Sequence, residues 1–321
     1  MSLSRRAALL GALAMPLTAR AAEPVRVGML RFGTVAWELD VIRRHGLDAA
    51  NGLAIESPEF ATAQAAQVAL QAGAVDVGVQ DWLWVARQRA DGADWTFATF
   101  STAIGALVAP PGSPVRAVAD LPGKRLGIAG SPLDKSWLIL RAYARKLDGI
   151  DLDTAVTKSF GSPPLLAEQA KAGRLDAVVT FWPFAARAEA AGARRVLAIE
   201  DAVRDLGITA ELPVAGYVFA THWARDNPAA IAGLLAASRA AREILATSDA
   251  EWQLLQPLLG VSGPAEFDAF KAYYRRGLPR AGVAVHAEAA AQLFKVLADI
   301  GGPALLGPLQ ALPPGTFWQP S

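Results

Sequence analysis

The stretch Gln71-Ala-Gly-Ala-Val-Asp-Val-Gly-Val-Gln-Asp-Trp82 returns one hundred residues later as Lys171-Ala-Gly-Arg-Leu-Asp-Ala-Val-Val-Thr-Phe-Trp182. Gly73 matches Gly173, Asp76 matches Asp176, Val79 matches Val179 and Trp82 matches Trp182. The spacing holds outward from this stretch, pairing Phe60 with Phe160 and Trp37 with Trp137. Further upstream, Val25-Arg-Val-Gly-Met29 parallels Arg125-Leu-Gly-Ile-Ala129 with the glycines 99 apart, one residue having been gained or lost between them. One Ala-Gly-x-x-Asp match is weak in an alanine-rich chain. Aromatic and glycine positions that keep one spacing mark a duplication, so residues 24 to 82 and 124 to 182 read as two copies of a βαβαβ-like unit.

Each copy has the punctuation such a unit needs. Val25 to Leu30 is an apolar run suited to a buried strand, and Arg31 to Trp37 is the loop it feeds. Glu38 to His45 has helical spacing, with Leu39 and Ile42 on one face and His45-Gly46 as its end. Thr62 caps a helix over Ala63 to Gln71, Gly73 stops it, and Val75 to Val79 forms a third strand. Asp76 and Asp176, each just ahead of a strand, are expected to hold the helix-to-strand corner through backbone amides rather than to do chemistry. Thr96 to Val108 is extended, Pro110-Pro-Gly-Ser-Pro114 is a rigid loop, and Gly123-Lys124 precedes a strand, which excludes a phosphate loop. Beyond the repeat come an extended segment, Val214 to Thr221, with Tyr217, a helix capped by Asn227-Pro228, and helices near 264 to 276 and 286 to 300. Leu312-Pro-Pro-Gly-Thr-Phe-Trp318 is a tail or a strap laid over a lobe.

Composition narrows the function classes. The chain of 321 residues, 53% hydrophobic, is long enough for two medium lobes. Arg5-Arg6, the apolar run Ala7 to Leu17 and Ala19-Arg-Ala21 read as a signal peptide over residues 1–21, of the ordinary secretory or the twin-arginine kind. Removing Arg5, Arg6 and Arg20 with it leaves 28 basic against 30 acidic residues, a balance that gives nucleic acid or an anionic membrane no reason to bind. With no cysteine, the chain has no disulfide, thiolate metal site, cysteine nucleophile or lipid-bearing cysteine. Its three histidines fall in no catalytic or metal-binding motif, so neither cofactor nor metal is expected and the reading is not an enzyme.

Alternating strands and helices make an α/β protein with parallel sheets, whose ligands bind at the carboxyl ends of the strands. Two such lobes facing each other bring their strand-end loops into one cleft. Candidate ligand contacts there are Arg31, Thr34, Trp37, Thr62, Gln64, Asp81 and Trp82 from the first copy, with Ser131, Asp134, Trp137, Ser162 and Trp182 from the second, and Tyr217 from the later extended segment. Arg31 offers a guanidinium fork to a carboxylate or sulfonate, and the threonines and serines double as helix caps. The tryptophans supply walls, unless they plug the lobe interface instead.

The leader, Val25 to Gly28, Ala69 to Gly78, Asp120-Leu-Pro-Gly-Lys-Arg-Leu-Gly-Ile128 and Ala172 to Ala177 with Trp182-Pro183 make residues 24 to 230 similar to the aliphatic sulfonate, taurine and nitrate branch of periplasmic binding proteins, thiamine-precursor binders included. The resemblance implies a type II periplasmic binding-protein fold, two Rossmann-like lobes with a ligand cleft between them. It implies a small-molecule ligand, an inner-membrane ABC permease as partner and a place in the periplasm, where a monomer is expected. Lobe 1 would comprise residues 22–103 plus 223–321 and lobe 2 residues 104–222, with the chain crossing near 101–104 and 220–225. The pattern departs from the family after the third strand, where Gln80-Asp-Trp-Leu-Trp84 replaces small residues. A carboxylate there points away from a simple oxyanion and towards an organic ligand, sulfonate, aromatic or pyrimidine-like, with a flat or apolar body. A sensor or accessory protein using the same closure, and an enzyme on the same fold, are the competing readings.

Overall fold

The computed structural model describes residues 24–30 and 33–320. The leader and Arg31 lie outside the described residues.

The first copy runs β1 (Val25–Arg26), β2 (Met29–Leu30), α1 (Val35–Arg44), α2 (Leu47–Ala50), β3 (Ile55–Glu56), β4 (Glu59–Phe60), α3 (Ala63–Gln71), β5 (Val77–Gln80), α4 (Trp82–Ala90) and β6 (Trp95–Ser101). The second begins with β7 (Gly105–Ala109) and continues through β8 (Arg125–Ala129), α5 (Lys135–Tyr143), α6 (Leu152–Ala155), β9 (Thr157–Gly161), α7 (Pro163–Lys171), β10 (Ala177–Phe181), α8 (Trp182–Ala190) and β11 (Arg194–Ala198). Helices α3 and α7, and helices α4 and α8, keep the one-hundred-residue offset at both ends. The same local chemistry sets those ends. Thr62 accepts a hydrogen bond from the Ala65 amide at 3.1 Å to start α3, Pro163 and Pro164 start α7, and left-handed glycines, Gly73 (φ 69°) and Gly173 (φ 67°), end them.

The aspartates of the repeat hold the corners. Asp76 accepts from the Arg26 amide at 2.9 Å and pairs with its guanidinium at 3.0 and 2.6 Å. Asp176 does the same with Arg125, at 2.8 Å to the amide and 3.0 and 2.7 Å to the guanidinium. Each clamp locks the strand after the hairpin-like helix end onto the first strand of its own copy.

The two sheets share one plan. In the second, the order is β11-β7-β10-β8-β9, with β8, β9 and β10 parallel and β7 antiparallel to β10. In the first, β5-β12-β6 is joined through a parallel Val27–Val77 bridge to the short pairs β1-β3 and β2-β4, where β12 is Ala215–Ala220. Strand β12, antiparallel to β5, therefore occupies the position in the first sheet that β7 occupies in the second. The chain leaves the first sheet over residues 102–104, between β6 and β7. It returns before Ala215, not near 220–225, because β12 is already hydrogen-bonded to both β5 and β6. Gly207 and Pro213 mark the irregular stretch that makes this return, and α9 (Ile199–Asp205) precedes it.

After β12 come α10 (Thr221–Asp226), α11 (Pro228–Thr247), α12 (Asp249–Leu259), α13 (Pro264–Arg276) and α14 (Val283–Leu306). Helices α11 and α12 pack on α1, whereas α13 packs on α8 and α14 on α5. The last four helices therefore embrace both sheets. By length and composition α14 could cross a membrane, but Ala289, Ala290, Leu293, Phe294 and Leu297 bury one of its sides and Gly302 (φ 56°) breaks it. The tail is a strap: the Phe97 amide donates to Thr316 O at 2.9 Å, and the Trp318 amide donates to Phe97 O at 2.8 Å.

Candidate functional site

The carboxyl ends of the parallel strands, at Leu30, Phe60 and Gln80 in the first sheet and Ala129, Gly161 and Phe181 in the second, lead into the starts of α1, α3, α4, α5, α7 and α8. These helix starts meet across the lobes on two flanks. On one, Lys135 Nζ at the start of α5 reaches Asp81 Oδ2 at the start of α4, at 2.8 Å. On the other, Trp37 of α1 meets Trp182 of α8 edge to face, with ring centroids 5.7 Å apart. In the repeat, Trp37 corresponds to Trp137 and Trp82 to Trp182, so the flanks are related by the duplication.

The four tryptophans belong to these seals. Trp82 and Trp137 share one buried cluster, and Trp37 and Trp182 the other, with exposures of 0 to 6%. Trp82 and Trp182 are the first residues of α4 and α8, at the helix starts just beyond the strand ends. The Trp82 indole donates to Pro213 O at 2.9 Å, tying α4 to the returning segment. All four side chains are buried, and Trp37 and Trp182 cover part of each other's ring surface. The aromatic surface left at the strand ends comes from Phe160 and Phe181, both exposed, and half-buried Phe60. Tyr217 is also withdrawn from the cleft, fully buried with its hydroxyl donating to Ser238 Oγ at 3.1 Å.

The polar candidates separate by position. Asp81 caps α4, accepting from the Trp84 amide at 2.9 Å, and Asp134 caps α5, accepting from the Ser136 and Trp137 amides at 2.8 and 3.3 Å. Burial works to raise the Asp81 carboxyl, but Lys135 and the amides of Trp84 and Leu83 outweigh it and hold it below its ordinary value. For Asp134, burial wins over Lys135 and the two amides, the charge of Asp81 adds to it, and the carboxyl is pushed up. The Asp81 side chain is 38% exposed. Gln80 beside it accepts from Gln67 at 3.0 Å. Thr62, Gln64, Ser131 and Ser162 are exposed and Thr34 is half-buried, all at helix starts. Ser131 Oγ accepts from the Leu133 amide at 3.2 Å, while the side chains of Thr34 and Ser162 do not cap their helices. At the start of α1 the Ala36 and Trp37 amides already donate to Gly33 O and Thr34 O at 3.1 and 3.2 Å, and prolines remove the first two amides of α7.

Two groups were not among the candidate contacts. Lys135 is a polar residue of the same loops as Asp81 and Asp134, for which a solvated surface role is at least as good a reading from sequence, and its partner lies in the other copy. Glu38 is fully buried, accepting from Ser238 at 2.7 Å and Tyr274 at 2.9 Å, with Tyr217 and Arg242 each at 3.4 Å. Its position was readable: three residues after Val35 and four before Ile42, it falls on the apolar face of α1.

This arrangement, two duplicated α/β lobes meeting at their strand ends, is that of the two-lobed periplasmic binding proteins. The NMT1/THI5-like family profile matches residues 43–250, and the chain belongs to that family. Among solved structures, the chain is similar to the periplasmic aliphatic sulphonate binding protein SsuA from Escherichia coli, with 22% identity, 93% of each chain covered and a TM-score of 0.71. It is similar to the alkanesulfonate-binding protein SsuA from Xanthomonas axonopodis pv. citri, bound to MOPS, with 22% identity, 93% of this chain and 99% of that one covered and a TM-score of 0.69. The desulfurization enzyme DSZB shares the fold at 19% identity and a TM-score of 0.57, over 86% of this chain and 92% of that one. No curated protein matches the sequence.

Proposed function

We propose that the chain is the solute-binding component of an ABC importer, capturing a small organic ligand between its lobes and handing it to an inner-membrane permease from the periplasm, as a monomer. The observation that carries this reading is the meeting of strand-end loops from two copies of one unit, joined by segments 102–104 and 207–214. On that reading those segments are the hinges about which the lobes open and close. In this reading lobe 1 is residues 24–101 with 215–320 and lobe 2 is residues 105–206. The ligand is sulfonate, aromatic or pyrimidine-like. Phe60, Phe160 and Phe181 favour an apolar body, and the helix starts favour an anionic group. Asp81 and Asp134 beside one lysine disfavour a multiply charged oxyanion. Thr34, Thr62, Gln64, Ser131 and Ser162 supply hydrogen bonds around it.

Because DSZB shows that an enzyme also uses this fold, the test must detect turnover. Native mass spectrometry of the mature chain with sulfonates, pyrimidines and aromatic acids should give a one-to-one complex from which the ligand is released unchanged. Recovery of a chemically altered ligand would overturn the binding-protein reading.

A further inference from the structure

The back of the first lobe carries a recess that ligand capture between the lobes leaves unused. It is a cavity of about 780 Å³ between the edge strand β6, helix α11, the end of α13 and the C-terminal strap, within the size range of small-molecule sites. Arg239 and Arg242 of α11, Arg275 of α13 and Arg280 of the following loop open onto it, and Trp318 and Leu278 give it an apolar side.

The partners of these arginines decide what the recess can hold. Arg275 is committed to Asp249 at 2.7 Å and to Leu245 O at 3.2 Å. Arg242 spends one nitrogen on Ser238 at 2.7 Å and Glu38 at 3.4 Å, while the rest of its fork makes no protein hydrogen bond and is not sealed from solvent. The guanidinium groups of Arg239 and Arg280 make no hydrogen bond or ion pair among the described residues. Among the described residues, Glu243 is the one acidic residue on the lining. Three forks with unused donors thus surround a concavity to which the described residues bring one carboxylate, and like charges so gathered favour an anion. A guanidinium fork fits two oxygens of a sulfonate, phosphate or carboxylate. The half-buried indole of Trp318, fixed edge to face on Phe219 at 5.5 Å, adds a flat apolar surface.

We propose that this recess is a second binding site, for a small organic anion that carries a sulfonate, phosphate or carboxylate on a flat apolar body. It adjoins the returning segment. The amides of Arg280 and Ala281 both donate to Glu211 at 2.9 Å, and Glu211 also holds His286 Nε2 at 2.8 Å.

Indole N–H spectra of the ¹⁵N-labelled mature chain test the site, with Trp318 identified through Trp318→Phe. Naphthalene-2-sulfonate should shift the Trp318 signal saturably, and naphthalen-2-ylmethylammonium should not. Arg239→Glu with Arg280→Glu should raise the concentration needed at least about tenfold. The double glutamine variant, Arg239→Gln with Arg280→Gln, serves if the glutamates disturb folding. A Trp318 signal unmoved at millimolar sulfonate, equal shifts by the ammonium analogue, or unchanged titration of the charge variants would each overturn the proposal. The charge variants separate this site from the cleft between the lobes: Arg239→Glu with Arg280→Glu should weaken the Trp318 titration and leave sulfonate binding between the lobes, read by native mass spectrometry, in place.

Discussion

Two carboxylates show how one residue type carries opposite pH dependence in this fold. The Arg125 side chain, against a smaller effect of burial, holds the Asp176 carboxyl below its ordinary value of 3.8. A group with a lowered folded pKa contributes stability that is full above the unfolded value and is lost as pH falls through the folded one. Asp176→Asn should therefore cost about 1 kcal/mol at neutral pH, Arg125 being half exposed and screened, and the difference from wild type should shrink below the unfolded value and vanish once pH has fallen below the folded one. Urea denaturation across that range checks it; a gap that persists in acid would assign the loss to packing. Glu38 runs the other way. Burial raises its carboxyl above the ordinary value of 4.5 despite Arg242 and the hydroxyls of Ser238, Tyr274 and Tyr217. Its contribution is full below the unfolded pKa and is lost as pH rises through the folded one. Relative to wild type, Glu38→Gln should thus gain stability as pH rises from about 5 to about 8, a trend that denaturation at the two values would show or refute.

At the level of elements, α13 carries two adjacent tyrosines that serve different lobes. The Tyr273 hydroxyl donates to Glu189 of α8 and its ring stacks on Trp182 at 6.1 Å, whereas Tyr274 donates to Glu38 of α1 at 2.9 Å and its ring lies 5.9 Å from Trp37. Phe270, between them, touches both tryptophans at 5.9 and 5.7 Å. Glu189 keeps Arg195 at 2.8 and 2.6 Å if its tyrosine is lost, but Glu38 has no solvent to turn to. Tyr273→Phe should cost about 1 kcal/mol and Tyr274→Phe about 2 to 3 kcal/mol. Amide exchange should rise in α8 for the first variant and in α1 for the second; the same pattern in both would deny the division. Elements of this kind mark where the sequence stopped being legible. The helix at 63–71 was readable from its cap and its stopping glycine, and the corner role of Asp76 and Asp176 from their recurrence. Helices α4 and α8 were not, because their starts, Asp81-Trp82 and Phe181-Trp182-Pro183, look like loop in one dimension, and of these residues only Trp82 and Trp182 are buried in the fold. The strand-end location of the site follows from the repeat, but which aromatic faces stay open depends on contacts between segments one hundred residues apart.

At the scale of the whole molecule, unequal ties hold the two lobes together. Lys135 and Asp81 form the ionic one, and with Asp81 38% exposed the pair is worth no more than about 0.5 kcal/mol. Lys135→Ala should shift the open fraction, read by small-angle scattering without ligand, by about twofold, and raised salt should produce the same shift in wild type. The stiffer control is steric and sits where the chain first crosses. Gly277, at the end of α13, accepts from the Thr102 amide at 2.8 Å, and a Cβ added to it would lie 2.4 Å from Ala103 Cβ and 2.9 Å from that residue's backbone. Its φ of −83° is open to any residue, so only this contact demands glycine. Gly277→Ala must push α13 and residues 102–104 apart, at a cost of about 1 to 3 kcal/mol. Because α13 holds both α1 and α8, the displacement should reach the lobes as a wider unliganded shape together with a lower melting temperature. A loss of stability with unchanged scattering would mean that the crossing segment yields locally and does not set the angle between the lobes.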